Sequence, residues 1–409
     1  MTDQRAADPI YPGLARRFHD AGSEELISAF WRAHHVFDRS ISQREGSPDW
    51  VFYEGPPTAN GMPGVHHVMA RLCKDIMCRF KTMTGHRVVR KAGWDTHGLP
   101  VERSVEKTLG IQGARAIKEF GLRPFNEQCR ESVWTCKGDW DAFTEKLGYW
   151  VDLDDPYITY DNNYIETVWW ILSRFHAEDM LYKGHKVVPY CPVCATPISA
   201  NEMANSYRKV NDPSIYVKLK ASDADEYFLT WTTTPWTLPS NVALAIGKDF
   251  DYVRVRHGGE IFIMAEARLG LLSELPDAEE GAEPEVLETF KGSELIGRSY
   301  EQLIPFVKPE AGKRAFVVVE ADFVTLDSGT GIVHMAPAFG EDDYQVGRRE
   351  NLSFFRPVDA NGEFTAEVEP WAGLHVKKAD RQIIKHLAAA GQLLKEESYS
   401  HDYPYHDRC

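Results

Sequence analysis

The sequence predicts a mixed α/β chain in two parts, a parallel-sheet unit followed by a mainly β one. Three observations carry this. Residues 49–90 read as strand, loop, helix and strand; residues 101–180 read as largely helical; and from about Pro189 the chain breaks into short β-like runs separated by Gly, Pro and Asp. The first domain is expected over residues 1–190 and the second over 191–409. At 409 residues the chain exceeds the roughly 100–200 residues of one ordinary domain, so two or more are expected.

After a polar N-terminal arm, Asp49-Trp-Val-Phe-Tyr53 has the β-branched and aromatic content of a strand. Glu54-Gly-Pro-Pro-Thr-Ala-Asn-Gly61 then carries two glycines and two prolines and cannot be helical. The next segment is a helix. Val68, Leu72, Ile76 and Phe80 recur every four residues, Met69, Cys73 and Met83 widen the stripe, and Gly85 supplies a stop. His86-Arg-Val-Val-Arg90 reads as the following strand. Such a βαβ unit implies a parallel sheet that binds ligands at the C-terminal ends of its strands. Farther on, Ser214–Leu219, Phe250–Val255 and Phe316–Val319 read as strands, while the acidic, Pro-containing segment Leu275–Glu285 suits a surface loop.

Composition bounds the function. With 43% apolar and 26% charged residues and no run of roughly 18 apolar residues, the sequence offers no membrane span. The first residues show no basic segment followed by an apolar run, so a secretory signal is not expected and the cytoplasm is the expected location. A net charge of −15 argues against a surface that grips nucleic acid all over, though a local basic track would suffice for an RNA partner. Seven cysteines, an odd number, argue against a disulfide framework and leave metal binding or burial.

Two segments carry the chemistry of the first part. The Gly-Pro-Pro loop leads into a helix whose free N–H groups suit a phosphate, with His66 and His67 in its first turn as candidate donors to a charged phosphoryl group. Together with Lys74-Asp75 and Gly93-Trp-Asp-Thr-His-Gly-Leu-Pro-Val-Glu102, the loop resembles the first half of the catalytic domain of class I isoleucyl-tRNA synthetases. The resemblance implies a Rossmann-type half-domain in which Gly55, Pro56 and Asp95 contact isoleucine, with Asp95 paired to its ammonium group. One departure stands out. Where the family has His-x-Gly-His, this chain has Gly64-Val-His-His67, so Gly and His have exchanged places. Either the adenine pocket is rebuilt with His66 supplying the phosphate contact, or the site is disabled.

Cys191-Pro-Val-Cys194 and His406-Asp-Arg-Cys409 have the spacings of a Cys3His zinc set. The alternative is free thiols and a terminal His. In the resemblance the two pairs flank an inserted domain and pin its entry to its exit.

Thr230-Trp-Thr-Thr-Thr-Pro-Trp-Thr-Leu-Pro-Ser-Asn241 cannot be an ordinary strand, because Pro235 and Pro239 interrupt the ladder and free hydroxyls to line a pocket. Gly329–Tyr344 adds a His and three consecutive carboxylates after a Gly-rich turn. Both resemble the editing signatures of isoleucyl, valyl and leucyl synthetases. The resemblance places Thr232, Thr233, Thr234, Thr237 and Asn241 on the first signature, and His334 and Asp343 on the second.

The implied function is ATP-dependent activation of isoleucine, its transfer to tRNA(Ile), and hydrolysis of valyl-tRNA(Ile). ATP with Mg2+ would be a substrate, Zn2+ structural, and the full-length protein a monomer. Family members continue with further catalytic and anticodon-binding segments that these residues lack, so the chain alone is not expected to complete aminoacylation. The alternative is a free-standing or inactive paralogue limited to deacylation or tRNA binding.

Overall fold

The computed structural model describes residues 21–204, 206–274, 284–306 and 308–406, and the chain divides into two compact units, 1–183 and 184–409. Cys409, the acidic stretch 275–283 and the first 20 residues lie outside the described residues. No described helix is long and apolar enough to cross a membrane.

The first unit opens with α1 (Ala21–Ala33) and α2 (Val36–Ser42), followed by the expected βαβ unit of β1 (Phe52–Tyr53), α3 (Val65–Met83) and β2 (Arg90–Trp94). Four short helices follow, α4 (Leu99–Leu109), α5 (Gly113–Phe120), α6 (Leu122–Ser132) and α7 (Lys137–Lys146), then β3 (Asp152–Ile158) and α8 (Asn162–Ala177). The three strands form a parallel sheet in the order β1, β2, β3, with Phe52 opposite Arg90 and Trp94 opposite Ile158. Gly85 follows α3 with φ +94°, a conformation that ends a helix at little cost only for glycine.

Two expectations about this unit need correcting. The second strand begins at Arg90 rather than His86, because its ladder partner β1 begins only at Phe52. More consequentially, the apolar stripe of α3 does not pack inward, as such stripes ordinarily do. Leu72 is 41% exposed, Ile76 62% and Met83 82%, while Arg71, Asp75, Cys78 and Thr82 are buried. The buried polar face is held by charge pairing. Arg90 from β2 is fully buried, and its guanidinium donates to Asp75 Oδ1 at 3.3 Å and Thr82 Oγ1 at 3.0 Å. Arg79 donates to the other Asp75 oxygen at 2.6 Å, which makes the burial of these charges tolerable.

The second unit begins with the small hairpin β4 (Tyr190–Cys191) and β5 (Thr196–Pro197) and the single turn α9 (Ala200–Met203). A nine-stranded mixed sheet follows among the described residues. It contains β6 (Tyr207–Lys220), β7 (Tyr227–Thr232), β8 (Ala243–Ile246), β9 (Asp251–His257), β10 (Glu260–Ala265), β11 (Glu285–Lys291), β12 (Val317–Glu320), β13 (Ile332–Met335) and β14 (Leu393–Pro404). The order is β11, β9, β10, β7, β13, β8, β12, with β6 paired to both β7 and β14. The helices α10 (Glu341–Arg349) and α11 (Val376–Ala389) cover it. Alternation along β8 assigns the faces: Leu244 and Ile246 pack with Ala379, Ile383 and Leu387 of α11, whereas Ala243 and Ala245 pack with Val346 of α10. Each face is therefore buried by its own helix, and the β-rich character expected from residue 189 onward is present.

Candidate active sites

In the first unit, β1 runs into Glu54, Gly55 and Pro56, and β2 runs into Asp95. The Asp95 N–H donates to the Pro57 carbonyl at 3.0 Å, so Gly55, Pro56 and Asp95 share the C-terminal edge of the sheet, where parallel α/β sheets bind ligands. Glu54 supports this edge. It is buried, its carboxylate accepts from Lys74 Nζ and from the Tyr149 hydroxyl, and its carbonyl accepts from Tyr157. Burial and the bond to Glu54 hold the Tyr149 hydroxyl far above its ordinary pKa. Arg71 completes the support, with its guanidinium 5.0 Å from the Trp140 ring and 5.4 Å from that of Tyr149.

Gly64 is the N-cap of α3, and its N–H donates to His67 Nδ1 at 2.8 Å. That bond leaves the proton of neutral His67 on Nε2. The His67 ring meets Trp140 edge-on at 4.7 Å, and burial, followed by the neighbouring His66, lowers its pKa. His66 is exposed, with its ring 3.8 Å from that of His67. A Cβ at position 64 would lie 2.8 Å from the His66 ring, so the exchanged glycine makes room for the imidazole beside it. The helix start with two imidazoles is suited to an anion.

In the second unit the two signature segments meet. β7 ends at Thr232, a 3-10 turn spans Pro235–Ser240, and β13 brings in His334, while α10 starts at Glu341. They enclose a cavity of about 320 Å³ lined by Thr232, Thr233, Thr234, Thr237, His334 and Asp343, together with Trp231, Phe339 and the Gly329–Gly331 turn. A cavity of this size suits a small-molecule group. Asn241 does not line it. It lies behind His334, with Nδ2 2.9 Å from His334 Nδ1.

Each lining group has a defined state. Burial lowers the His334 pKa to about 4, so the imidazole is neutral near pH 7. Asp343 sits in the first turn of α10 and accepts from the Ala336 N–H at 2.8 Å, while burial raises its pKa against that bond. A Cβ at Gly340 would lie 2.8 Å from the Asp343 carboxyl carbon, so glycine at the helix start gives the carboxylate its place. Asp342 is exposed. Thr237 bonds to His334 Nε2 at 2.9 Å and donates to the Thr234 carbonyl at 2.8 Å. Of the lining threonines, Thr233 and Thr325 have hydroxyls with no hydrogen bond among the described residues, and of these Thr233 lies on the Thr-rich segment.

The ligand atoms of Cys191, Cys194 and His406 all lie within 4.8 Å of one another, and the Cys194 N–H points at Cys191 Sγ at 3.5 Å. Two buried sulfurs and an imidazole at this spacing fit a tetrahedral zinc, and an N–H aimed at sulfur favours the thiolate. Cys409 lies outside the described residues.

Two buried groups escaped the sequence reading. Tyr300 donates to Asn241 Oδ1 at 2.6 Å, and Asp380 of α11 accepts from the Trp236 N–H at 2.9 Å at the start of the Thr-rich turn. Neither lies in a motif or lines the cavity; each meets the Thr-rich segment from a distant stretch of chain.

Among known proteins, a sequence model of the family described as tRNA synthetases class I (I, L, M and V) matches residues 26–383. A protein named isoleucine–tRNA ligase from Clostridium tetani is 48% identical over 387 residues, covering 94% of this chain and 36% of that protein. Isoleucine–tRNA ligase 2 from Bacillus thuringiensis subsp. konkukian is 50% identical over 390 residues, covering 95% of this chain and 37% of that protein. This chain thus spans little more than a third of the length of these relatives. A solved structure titled "The crystal structure of GlLeuRS-CP1" covers 45% of this chain and 99% of that one at 15% identity and a TM-score of 0.35, too loose a match to carry an argument. On the match across residues 26–383, the chain belongs to the class I tRNA synthetase family.

Proposed function

We propose that this chain carries part of the activation site and the whole proofreading pocket of an isoleucine–tRNA ligase. The observation that carries the reading is the cavity of the second unit, where threonines, a neutral imidazole and a half-buried carboxylate converge. The identity of 48–50% to isoleucine–tRNA ligases supports the choice of amino acid. Such an enzyme needs a second site. One missing methylene separates valine from isoleucine by only about 1–3 kcal/mol, a range established on this very discrimination.

In the pocket, Asp343 would hold the ammonium group of a valyl ester by a charge-assisted bond, and Thr233 would hold the attacking water. The water oxygen bonds to the valyl carbonyl carbon as the bond to the ribose oxygen breaks. Positioning is the main source of rate. In the first unit, Gly55, Pro56 and Asp95 would bind isoleucine, with Asp95 against its ammonium group. Gly64, His66 and His67 would face ATP, taken as a substrate with Mg2+. The synthesis of isoleucyl-tRNA(Ile) is proposed for a protein of the relatives' length, acting as a cytoplasmic monomer, rather than for these residues alone.

Structural zinc on Cys191, Cys194, His406 and Cys409 belongs to the same reading. Metal analysis should find one zinc per chain and its loss in Cys191→Ser; equal content in both would remove the zinc. The test of function is deacylation of valyl-tRNA(Ile) by the unmodified chain and by Asp343→Ala. Loss of the ammonium anchor should slow the reaction about ten- to hundredfold, and Asp342→Ala should matter much less. Equal rates for all three would make the carboxylate cluster structural.

A further inference from the structure

The polar chain behind the threonines is wired in the opposite sense to a nucleophile triad, and Asn241 decides the sense. Its Nδ2 lies 3.1 Å from the Ala243 carbonyl, an atom that only accepts, so the amide cannot be turned round. The second Nδ2 hydrogen meets His334 Nδ1 at 2.9 Å, while Oδ1 receives the buried Tyr300 hydroxyl at 2.6 Å. A nitrogen that accepts carries no proton. Neutral His334 therefore holds its proton on Nε2 and donates it to Thr237 Oγ1 at 2.9 Å, and the Thr237 hydroxyl donates onward to the Thr234 carbonyl at 2.8 Å.

In a Ser-His-Asp triad the third residue accepts from Nδ1–H, which leaves Nε2 with the lone pair that takes the hydroxyl proton. Here the third residue donates to Nδ1, and Nε2 has no lone pair to offer. The pairing of Thr237 with His334 has the spacing of a nucleophile and its base, yet the proton sits on the wrong nitrogen for that chemistry.

We propose that Tyr300 is a positioning residue of this pocket, and that the Tyr300, Asn241 and His334 chain fixes His334 as a hydrogen-bond donor holding Thr237. This wiring accords with the attack of water described above, since it leaves Nε2 no lone pair with which to turn Thr237 into a nucleophile. The water oxygen bonds to the acyl carbon, the bond from that carbon to the ribose oxygen breaks, the ribose oxygen takes one proton, and the acid formed releases the other to solvent. The proposal rests on reading the cavity as a proofreading site. The burial of Tyr300 and His334 supports it, because an unpaired polar atom on either would be costly to leave there.

The first measurement is the tautomer of His334 by nitrogen NMR of the histidine-labelled full chain, its signals assigned by their loss in His334→Gln. A proton on Nε2 and a bare Nδ1 are expected, and a protonated Nδ1 overturns the proposal. The second is deacylation of valyl-tRNA(Ile). His334→Gln keeps an amide N–H near the Nε2 position but can never act as a base, so it should stay within about tenfold of the unmodified chain, whereas His334→Leu should lose a hundredfold or more. Equal losses in the two variants would make His334 a base and overturn the donor role. Tyr300→Phe should lower kcat about tenfold with KM little changed and mix the two His334 tautomers. Unchanged rate and spectrum would remove Tyr300 from the account. If the unmodified chain deacylates nothing, the proofreading reading fails, and the tautomer alone decides the wiring.

Discussion

The two units solve burial in opposite ways. In the first, α3 turns Arg71, Asp75 and Thr82 inward and leaves Leu72, Ile76 and Phe80 exposed. In the second, Leu244 and Ile246 are fully buried against α11, while Ala243 and Ala245 are fully buried against α10. The first unit adds a buried charge network to three small apolar clusters and presents an apolar helix face; the second is held by larger apolar clusters and presents a polar pocket. The pocket of the second unit, by contrast, draws its walls from strands, helices and turns of that same unit. The difference shows where the second site finds its support: its lining residues all belong to one unit, whose packed strands and helices hold them in place.

The comparison can be broken most forcefully at Asp75. Replacing it with Ala leaves the fully buried Arg90 without its carboxylate, and breaking a buried pair in this way costs about 3–5 kcal/mol. Chemical denaturation should show that loss in the first unit. A change below about 1 kcal/mol would mean that the charge network does not hold the unit.

A smaller, pH-dependent effect is expected at Asp380, whose pKa burial raises to about 6 from an ordinary 3.8. Below about pH 4 the carboxyl is protonated whether the chain is folded or not. As pH rises from about 4 to 6 the unfolded chain ionises first, so the group's contribution to stability falls, by on the order of 3 kcal/mol in total. His334 opposes this. With its pKa lowered to about 4, it contributes stability above its ordinary 6.5 that is lost as pH falls through 4. Asp380→Asn should therefore gain on the unmodified chain between pH 4 and 7, as measured by denaturation midpoints. A difference independent of pH would show that Asp380 is not the buried acid described.

The smallest effect is expected on the exposed stripe. Ile76→Ser at a position 62% exposed should change stability by no more than about 0.5 kcal/mol, whereas Leu244→Ala in the second unit should cost about 2–5 kcal/mol. Similar losses at both positions would mean that α3 packs by its apolar face after all, and the contrast between the units would fall.

The Thr-rich turn was legible because two prolines in a would-be strand announce an interrupted ladder, and the structure places a 3-10 turn there. The strands around Ser214, Phe250 and Phe316 were legible from their apolar runs. Periodicity also located α3, but it cannot say which face is covered. That choice depends on Arg90, a residue of the next strand, whose charge required Asp75 to turn inward. Likewise Asn241 read as one more pocket residue, while its place behind His334 follows from β13 pairing with β8. Tyr300 and Asp380 left no trace in any local pattern, since each meets the Thr-rich segment from a distant stretch of chain.

The most direct test of the central claim is the deacylation of two matched substrates, valyl-tRNA(Ile) and isoleucyl-tRNA(Ile), by the unmodified chain without ATP. The account predicts that the valyl ester is hydrolysed well above its spontaneous rate, because the residues that line the cavity all belong to one unit, and that a proofreading pocket spares the isoleucyl ester. Hydrolysis of neither ester, or equal hydrolysis of both, would contradict it.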